Sequence, residues 1–317
     1  MKYKKIIIMS NGTFGISTIK YLIKNQKKYF YKISCIITTK NKINKKKNYI
    51  KYLVKKNKII LIYSENIDKK KYIKKIKKIK PDLQLLISFK IIKYKIWKIP
   101  KLGTINIHPS LLPLYKGANP INWVIINGEK KTGLTSFFIN DNIDGGNIIL
   151  QKIIYIKKKY NYKTLKNIIS KKSKKFTLKS ILKVLNKKKI NIYINNKIAP
   201  KINNFYSKIF FLNYKKKKIL NLVKGLSNKK PAWCFINLNK NIYYFNIYKI
   251  KIKKINFNFK KKIKIGKILF YNKKVLIKVK NGYIILLLCQ IENKKKIKGI
   301  NIYNSLINFN KKKLFCF

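Results

Sequence analysis

The sequence predicts an α/β chain, a doubly wound and mostly parallel sheet followed by a smaller β-barrel. Over roughly the first 190 residues, continuous apolar runs of strand length alternate with stretches of helical periodicity. That is the pattern of βαβ units, whose strands are buried on both faces and so carry unbroken hydrophobic runs. From about residue 206, short strands separated by tight turns replace the helices, as in a small antiparallel barrel. The length of 317 residues suggests two domains, and 46% hydrophobic residues with 22 Tyr and 17 Phe are enough to give each a core.

The elements follow in order. Ile6-Ile7-Ile8-Met9 is a buried strand, Ser10-Asn11-Gly12-Thr13 a tight turn, and Ile16, Ile19, Leu22 and Ile23 the apolar face of a helix. Further apolar strands are predicted at 33–37, 59–62, 83–87 and 104–107, with crossover helices at 49–54 and 68–79. A helix over 118–127 stops at Gly128; strands at 133–139 and 148–156 flank an aspartate turn; a long helix covers 162–185. Residues 191–205 lose periodicity around Asn195-Asn196, Pro200 and Asn203-Asn204 and read as a linker between domains at 1–190 and 206–317. A short helix at 218–224 precedes strands at 233–238, 242–252, 267–271, 275–279 and 283–289, the strand count of an OB-like barrel.

The formal net charge is +72, and every basic residue is lysine. A charge of that sign suits nucleic acid. Yet Lys, Ile, Asn and Tyr dominate from end to end, which reads as the coding bias of an A+T-rich, reduced genome rather than a selected patch. Self-repulsion among the lysines works against compaction at low salt. Cys35, Cys234, Cys289 and Cys316 form no CxxC pair, so neither a zinc site nor a disulfide framework is indicated, and a reducing, cytoplasmic setting fits. No apolar run approaches a membrane span and the first residues lack a signal-peptide core, so a soluble protein without a membrane partner is expected.

His108 is the only histidine, at the end of a short apolar strand in Asn106-Ile107-His108-Pro109-Ser110-Leu111-Leu112-Pro113. Two of the 7 acidic residues, Asp141 and Asp144, fall together in Asn140-Asp141-Asn142-Ile143-Asp144-Gly145-Gly146. A solitary histidine is as readily structural as chemical. The stretch as a whole decides: with Tyr115-Lys116-Gly117, Gly133-Leu134-Thr135 and Asp144-Gly145-Gly146, it resembles the signature of folate-dependent formyltransferases. The resemblance implies a Rossmann-like catalytic domain that moves a formyl group from 10-formyltetrahydrofolate to an amine, with no metal. It implies Asn106, His108 and Asp144 as catalytic residues. Asn106 and His108, two apart on a strand, share a face. An amide at 106 suits a developing oxyanion, and an imidazole at 108, oriented by Asp144, suits proton exchange near neutrality. For the folate it implies Phe89, in Leu86-Ile87-Ser88-Phe89, beside the pterin, main-chain contacts from Ser110, Leu111, Leu112 and Pro113, and close approach at Gly145.

The second domain bears on the acceptor. Glycinamide ribonucleotide formyltransferases share the central motif but end soon after the catalytic domain. The branch acting on methionyl-tRNA continues into a barrel that holds the tRNA, and Gly225-Leu226-Ser227-Asn228-Lys229-Lys230-Pro231-Ala232-Trp233 and Ile265-Gly266-Lys267-Ile268-Leu269 are similar to the start of that domain. Initiator methionyl-tRNA is therefore the expected partner of a monomeric enzyme. Aminosugar formyltransferases share a similar second domain and remain the rival, as does a non-catalytic module that keeps only tRNA or folate affinity. Three departures stand out: Ser10-Asn11-Gly12-Thr13-Phe14 lacks the usual Gly-Thr-Pro, Lys90 replaces a glycine, and the lysine-rich loop at 39–48 is short and has no arginine. Lysine lacks the bidentate fork of arginine, so weak discrimination between initiator and elongator tRNA is expected.

Overall fold

A computed structural model describes residues 3–11, 13–39, 45–186, 197–226, 230–239, 241–252, 263–309 and 314–317. The chain forms two compact units. The first comprises Met1–Pro120, Lys131–Tyr155 and Lys166–Ala199, and the second Ile121–Lys130, Ile156–Leu165 and Pro200–Phe317.

The chain begins with β1 (Lys4–Ser10), α1 (Thr13–Asn25), β2 (Tyr31–Thr38), α2 (Lys45–Lys56), β3 (Ile60–Tyr63), α3 (Lys70–Ile79) and β4 (Leu83–Ile87). It continues with α4 (Tyr94–Trp97), β5 (Thr104–His108), β6 (Leu114–Lys116), α5 (Pro120–Ile126), β7 (Lys131–Phe138), β8 (Ile148–Tyr155), α6 (Tyr162–Leu185) and β9 (Lys197–Ile198). One sheet runs β3-β2-β1-β4-β5-β7-β8. Its first five strands are parallel, and β7 and β8 complete it antiparallel. Strand order reverses between β1 and β4, the place where open α/β sheets leave a crevice beyond the strand carboxyl ends. Ile6, Ile7, Ile8 and Met9 are all fully buried, which is why β1 reads as an unbroken apolar run. Along α6, Leu165, Ile169, Ser173, Phe176 and Ile181 return to the buried side every three to five residues, and Ser173 Oγ lies 3.0 Å from Thr18 Oγ1 of α1.

The second unit continues with α7 (Asn204–Ser207), α8 (Lys216–Gly225), β10 (Ala232–Leu238), β11 (Asn241–Ile252), β12 (Ile268–Tyr271), β13 (Lys274–Val279), β14 (Gly282–Ile291), β15 (Ile297–Lys298), α9 (Ile300–Leu306) and β16 (Phe315–Cys316). Its sheet runs β12-β13-β14-β11-β10-β16, antiparallel throughout, with β15 on β14. The sheet curls until its end strands meet: Lys267 bridges Phe315, and Cys316 N–H donates to Gly266 O at 2.9 Å. This curled antiparallel sheet is the OB-like β-barrel domain expected from the strand spacing. The β12–β13 hairpin turns through Asn272 and Lys273, both at positive φ, as a two-residue turn of matching twist requires.

Several elements differ from the sequence reading. Residues 191–196 of the expected linker, Gly12 of the first turn, 40–44 of the basic loop and Ser227-Asn228-Lys229 lie outside the described residues. Lys197–Ile198, also read as linker, pairs with β6, and Asn203 caps α7 by accepting Tyr206 N–H at 3.0 Å. Elements α4, β6, β9, β15 and β16 are two to four residues long, too short for periodicity to register. Among the described residues no helix is long and apolar enough to cross a membrane.

All four cysteines are free and buried. Burial pushes the Cys35 thiol from about 9 up to about 12, and the same cause does so for Cys289. Between those pH values an unfolded chain has released protons that the folded chain keeps, so stability falls as pH rises from about 9 towards 12 and is unaffected below. Lysine deprotonation adds its own trend in that range, so the expected result is a difference. Urea midpoints of the native chain are expected to fall further between about pH 7 and pH 10.5 than those of Cys35→Ala. Parallel pH profiles of the two proteins would contradict it.

Candidate active site

The site lies at the carboxyl ends of β4 and β5. In β5, Ile105 and Ile107 are buried, and Asn106, Ile107 and His108 line a cavity of about 720 Å³, within the usual range for small-molecule sites. Leu86, Ser88 and Phe89 line it from the end of β4; Ile92, Tyr94 and Trp97 from α4 and the segment before it; Ile139 to Asp144 from the loop after β7. Asn11 N–H donates to Ser88 O at 3.3 Å, tying the end of β1 to this wall.

His108 is 5% exposed, and its two ring nitrogens face different groups. Nε2 lies 2.9 Å from Tyr115 O. A carbonyl only accepts, so Nε2 carries the proton, and Nδ1 is the nitrogen that gains or loses one. Nδ1 lies 3.6 Å from Asp144 Oδ2, longer than a hydrogen bond but close enough for the carboxylate to stabilise an imidazolium. Asp144 Oδ2 also accepts Gly117 N–H at 2.8 Å, which fixes its orientation. Asp144 itself stands at φ +49, a conformation aspartate tolerates better than most residues.

Asn106 is half-buried, and among the described residues its carboxamide has no protein partner. A donor left open towards a cavity is preorganised for an oxygen that arrives with a ligand. The apolar wall of Phe89, Ile92, Trp97 and Ile139 suits a flat aromatic ring; Lys90 and Lys93 add positive charge to the lining.

The structure therefore brings Asn106, His108, Asp144 and Phe89 together at one cavity. It does not bring Ser110, Leu111, Leu112, Pro113 or Gly145 to the cavity lining. Ser110 is fully buried and its Oγ donates to Leu114 O at 2.7 Å. Thr135 Oγ1 donates to Ser110 O at 2.7 Å and accepts Leu112 N–H at 3.0 Å, while Gln151 Nε2 donates to Leu112 O at 2.7 Å. Ser110 O and both backbone groups of Leu112 in that turn, which has a cis Leu112–Pro113 bond, are thus satisfied by β7 and β8, and the chain beyond it brings the Tyr115 carbonyl to His108. Gly145 N–H donates to Asn142 O at 3.1 Å, inside the loop that carries Asp144.

The sequence reading missed the Tyr115 carbonyl and the Gly117 amide, since backbone groups leave no trace in residue type. It also missed Tyr94 and Trp97, whose rings meet edge to face at 5.0 Å; two aromatics three residues apart were the available signal. Among the described residues no group of His, Cys, Asp or Glu side chains could hold a metal ion.

Residues 4–181 match the family described as Formyl transferase, and residues 201–306 match Formyl transferase, C-terminal domain. The chain is similar to the methionyl-tRNA formyltransferase of Flavobacterium johnsoniae, at 33% identity over 96% of this chain and 97% of the relative. It is also similar to the bifunctional polymyxin resistance protein ArnA of Wigglesworthia glossinidia brevipalpis, at 32% identity over 94% of this chain but 45% of that protein. Among solved structures it resembles WlaRD, a sugar 3N-formyl transferase determined with dTDP and 5-N-formyl-THF, with a TM-score of 0.63 at 20% identity, over 93% of this chain and 100% of WlaRD.

Proposed function

Because the chain belongs to the formyl transferase family, we propose that it moves the formyl group of 10-formyltetrahydrofolate to the free amino group of initiator methionyl-tRNA. The product is N-formylmethionyl-tRNA, for translation initiation. Residues 1–190 serve as catalytic domain and 206–317 as the tRNA-holding domain of a cytoplasmic monomer. The single observation that carries the chemistry is Asn106, an open amide donor beside the His108–Asp144 pair.

The folate supplies the formyl group, and the apolar wall of Phe89, Ile92 and Trp97 supports a place for its ring system. The chain's own residues do the rest. Asn106 donates to the formyl oxygen as charge builds there, an interaction that strengthens only along the reaction. His108 Nδ1 takes the proton that the attacking amine loses as the new C–N bond forms, Asp144 Oδ2, 3.6 Å away, stabilises the imidazolium, and the proton passes to N10 of the folate as its bond to the formyl carbon breaks. Tyr115 O holds the ring in the tautomer that leaves Nδ1 free to accept. The turn from Ser110 to Pro113 and the loop through Gly145 hold this frame from behind.

Relatives named for methionyl-tRNA span nearly their own full length in the match, whereas ArnA is matched over 45% of its length. That supports the tRNA acceptor. The sugar 3N-formyl transferase WlaRD shares the fold over its whole length, which keeps an aminosugar as the second reading. The test offers methionyl-tRNA, glycinamide ribonucleotide and a UDP-aminosugar with one donor. Methionyl-tRNA is expected to be formylated, and formylation of the aminosugar alone would replace the reading. Run with initiator and elongator methionyl-tRNA, the same assay is expected to show weak preference, and strong preference would remove the argument from missing arginine.

A further inference from the structure

Along β10, Ala232, Cys234 and Ile236 face inward and are fully buried, as is Phe245 of β11. The outward positions of an antiparallel sheet that faces water are ordinarily polar. Here they form a row of rings across three strands. Phe317 exchanges both backbone hydrogen bonds with Phe235, and Phe235 stands opposite Tyr244. Ring centroids lie 5.7 Å apart in the first pair and 4.9 Å in the second, with Trp233 5.0 Å from Tyr244. Tyr244 is 44% exposed and Phe317 49%. Lys208 Nζ lies over the row, 5.1 Å from the Phe235 centroid and 5.4 Å from that of Trp233. The carboxylate at its edge, Glu292, accepts Tyr244 N–H at 3.1 Å.

Coding bias scatters exposed Tyr and Phe over the chain but does not gather them on one strand row beneath a lysine. An exposed apolar patch of this kind marks an interaction surface. A second copy would set Lys208 against Lys208 and one +72 chain against another. A partner with both flat π faces and negative charge meets no such penalty. We infer that the outer face of β10, β11 and β16 is a stacking platform for unpaired RNA nucleotides, with Phe235, Tyr244 and Phe317 receiving bases and Lys208 a phosphate. Base–aromatic stacking tolerates any sequence, and a lysine beside the rings follows the backbone. The inference rests on the tRNA reading above for the identity of the RNA, but not for the presence of the surface.

The test measures binding of the full chain to a labelled single-stranded oligoribonucleotide and to a blunt RNA duplex of equal length. The double variant Tyr244→Leu/Phe317→Leu keeps apolar bulk but removes two rings; Tyr244→Phe keeps the ring. Single-strand affinity is expected to fall by roughly tenfold per ring lost. Duplex binding, which is electrostatic, is expected to stay within about twofold, and Tyr244→Phe to bind as the native chain does. Equal losses on both RNAs, or none, would overturn the platform. So would a native dimer that the double variant converts to monomer, since the rings would then join two copies. Formylation is measured alongside. A native chain that leaves methionyl-tRNA unformylated yet loses single-strand binding with the rings refutes the acceptor reading and keeps the platform. A chain that formylates methionyl-tRNA while the variant binds single strands normally refutes the platform alone.

Discussion

Replacing His108 by alanine is expected to slow single-turnover formyl transfer by at least about a hundredfold, the ordinary contribution of a positioned acid–base group. The fold should survive. The lost hydrogen bond to Tyr115 O is worth about 1 kcal/mol, a fall of about 2–4 °C in Tm for a unit of this size. Folate affinity should change little, because the apolar wall does not include the imidazole. A near-native rate would remove His108 from proton transfer.

Gly146→Ala is expected to damage the same step from a distance. A Cβ at Gly146 would stand 1.7 Å from Phe138 O and 2.8 Å from its carbonyl carbon, so the loop must move off the end of β7. That loop carries Asp144, whose carboxylate must reach both Gly117 N–H and His108. Misplacement on the order of 1 Å costs about a hundredfold in rate. The readout that separates this route from general destabilisation is the double variant Gly146→Ala/Asp144→Asn. If glycine acts by placing Asp144, the pair is little worse than Asp144→Asn alone, because coupled residues do not add. Additive losses would show that the glycine serves the fold instead.

The architecture was legible where the sequence had periods to read. The unbroken run from Ile6 to Met9 and the helical spacing of Leu165, Ile169 and Ile181 report burial directly, because a strand buried on both faces and a helix buried on one leave different patterns. Elements of two to four residues such as β6 and α4 left no period. The expected linker is a related case: Lys197–Ile198 is held by pairing with β6, a partner some 80 positions away that local composition does not reveal. In the site, Asn106 and His108 were legible because strand alternation fixes their common face, and Asp144 because carboxylates are so few here. Which way Ser110 to Pro113 point was not legible, because a motif names residues without their direction: Ser110 O and both backbone groups of Leu112 bond to Thr135 and Gln151.

By itself the sequence determined the order of the longer elements, the α/β and barrel organisation, and the three side chains proposed to carry the chemistry. These depend on residue type and local spacing, which the chain carries in one dimension. Only the tertiary structure decided which nitrogen of His108 is free, which amide holds Asp144, and that Phe235, Tyr244 and Phe317 form one surface. Those facts depend on backbone carbonyls and amides brought together by sheet register, and a sequence, in which every residue carries the same backbone, does not distinguish among them.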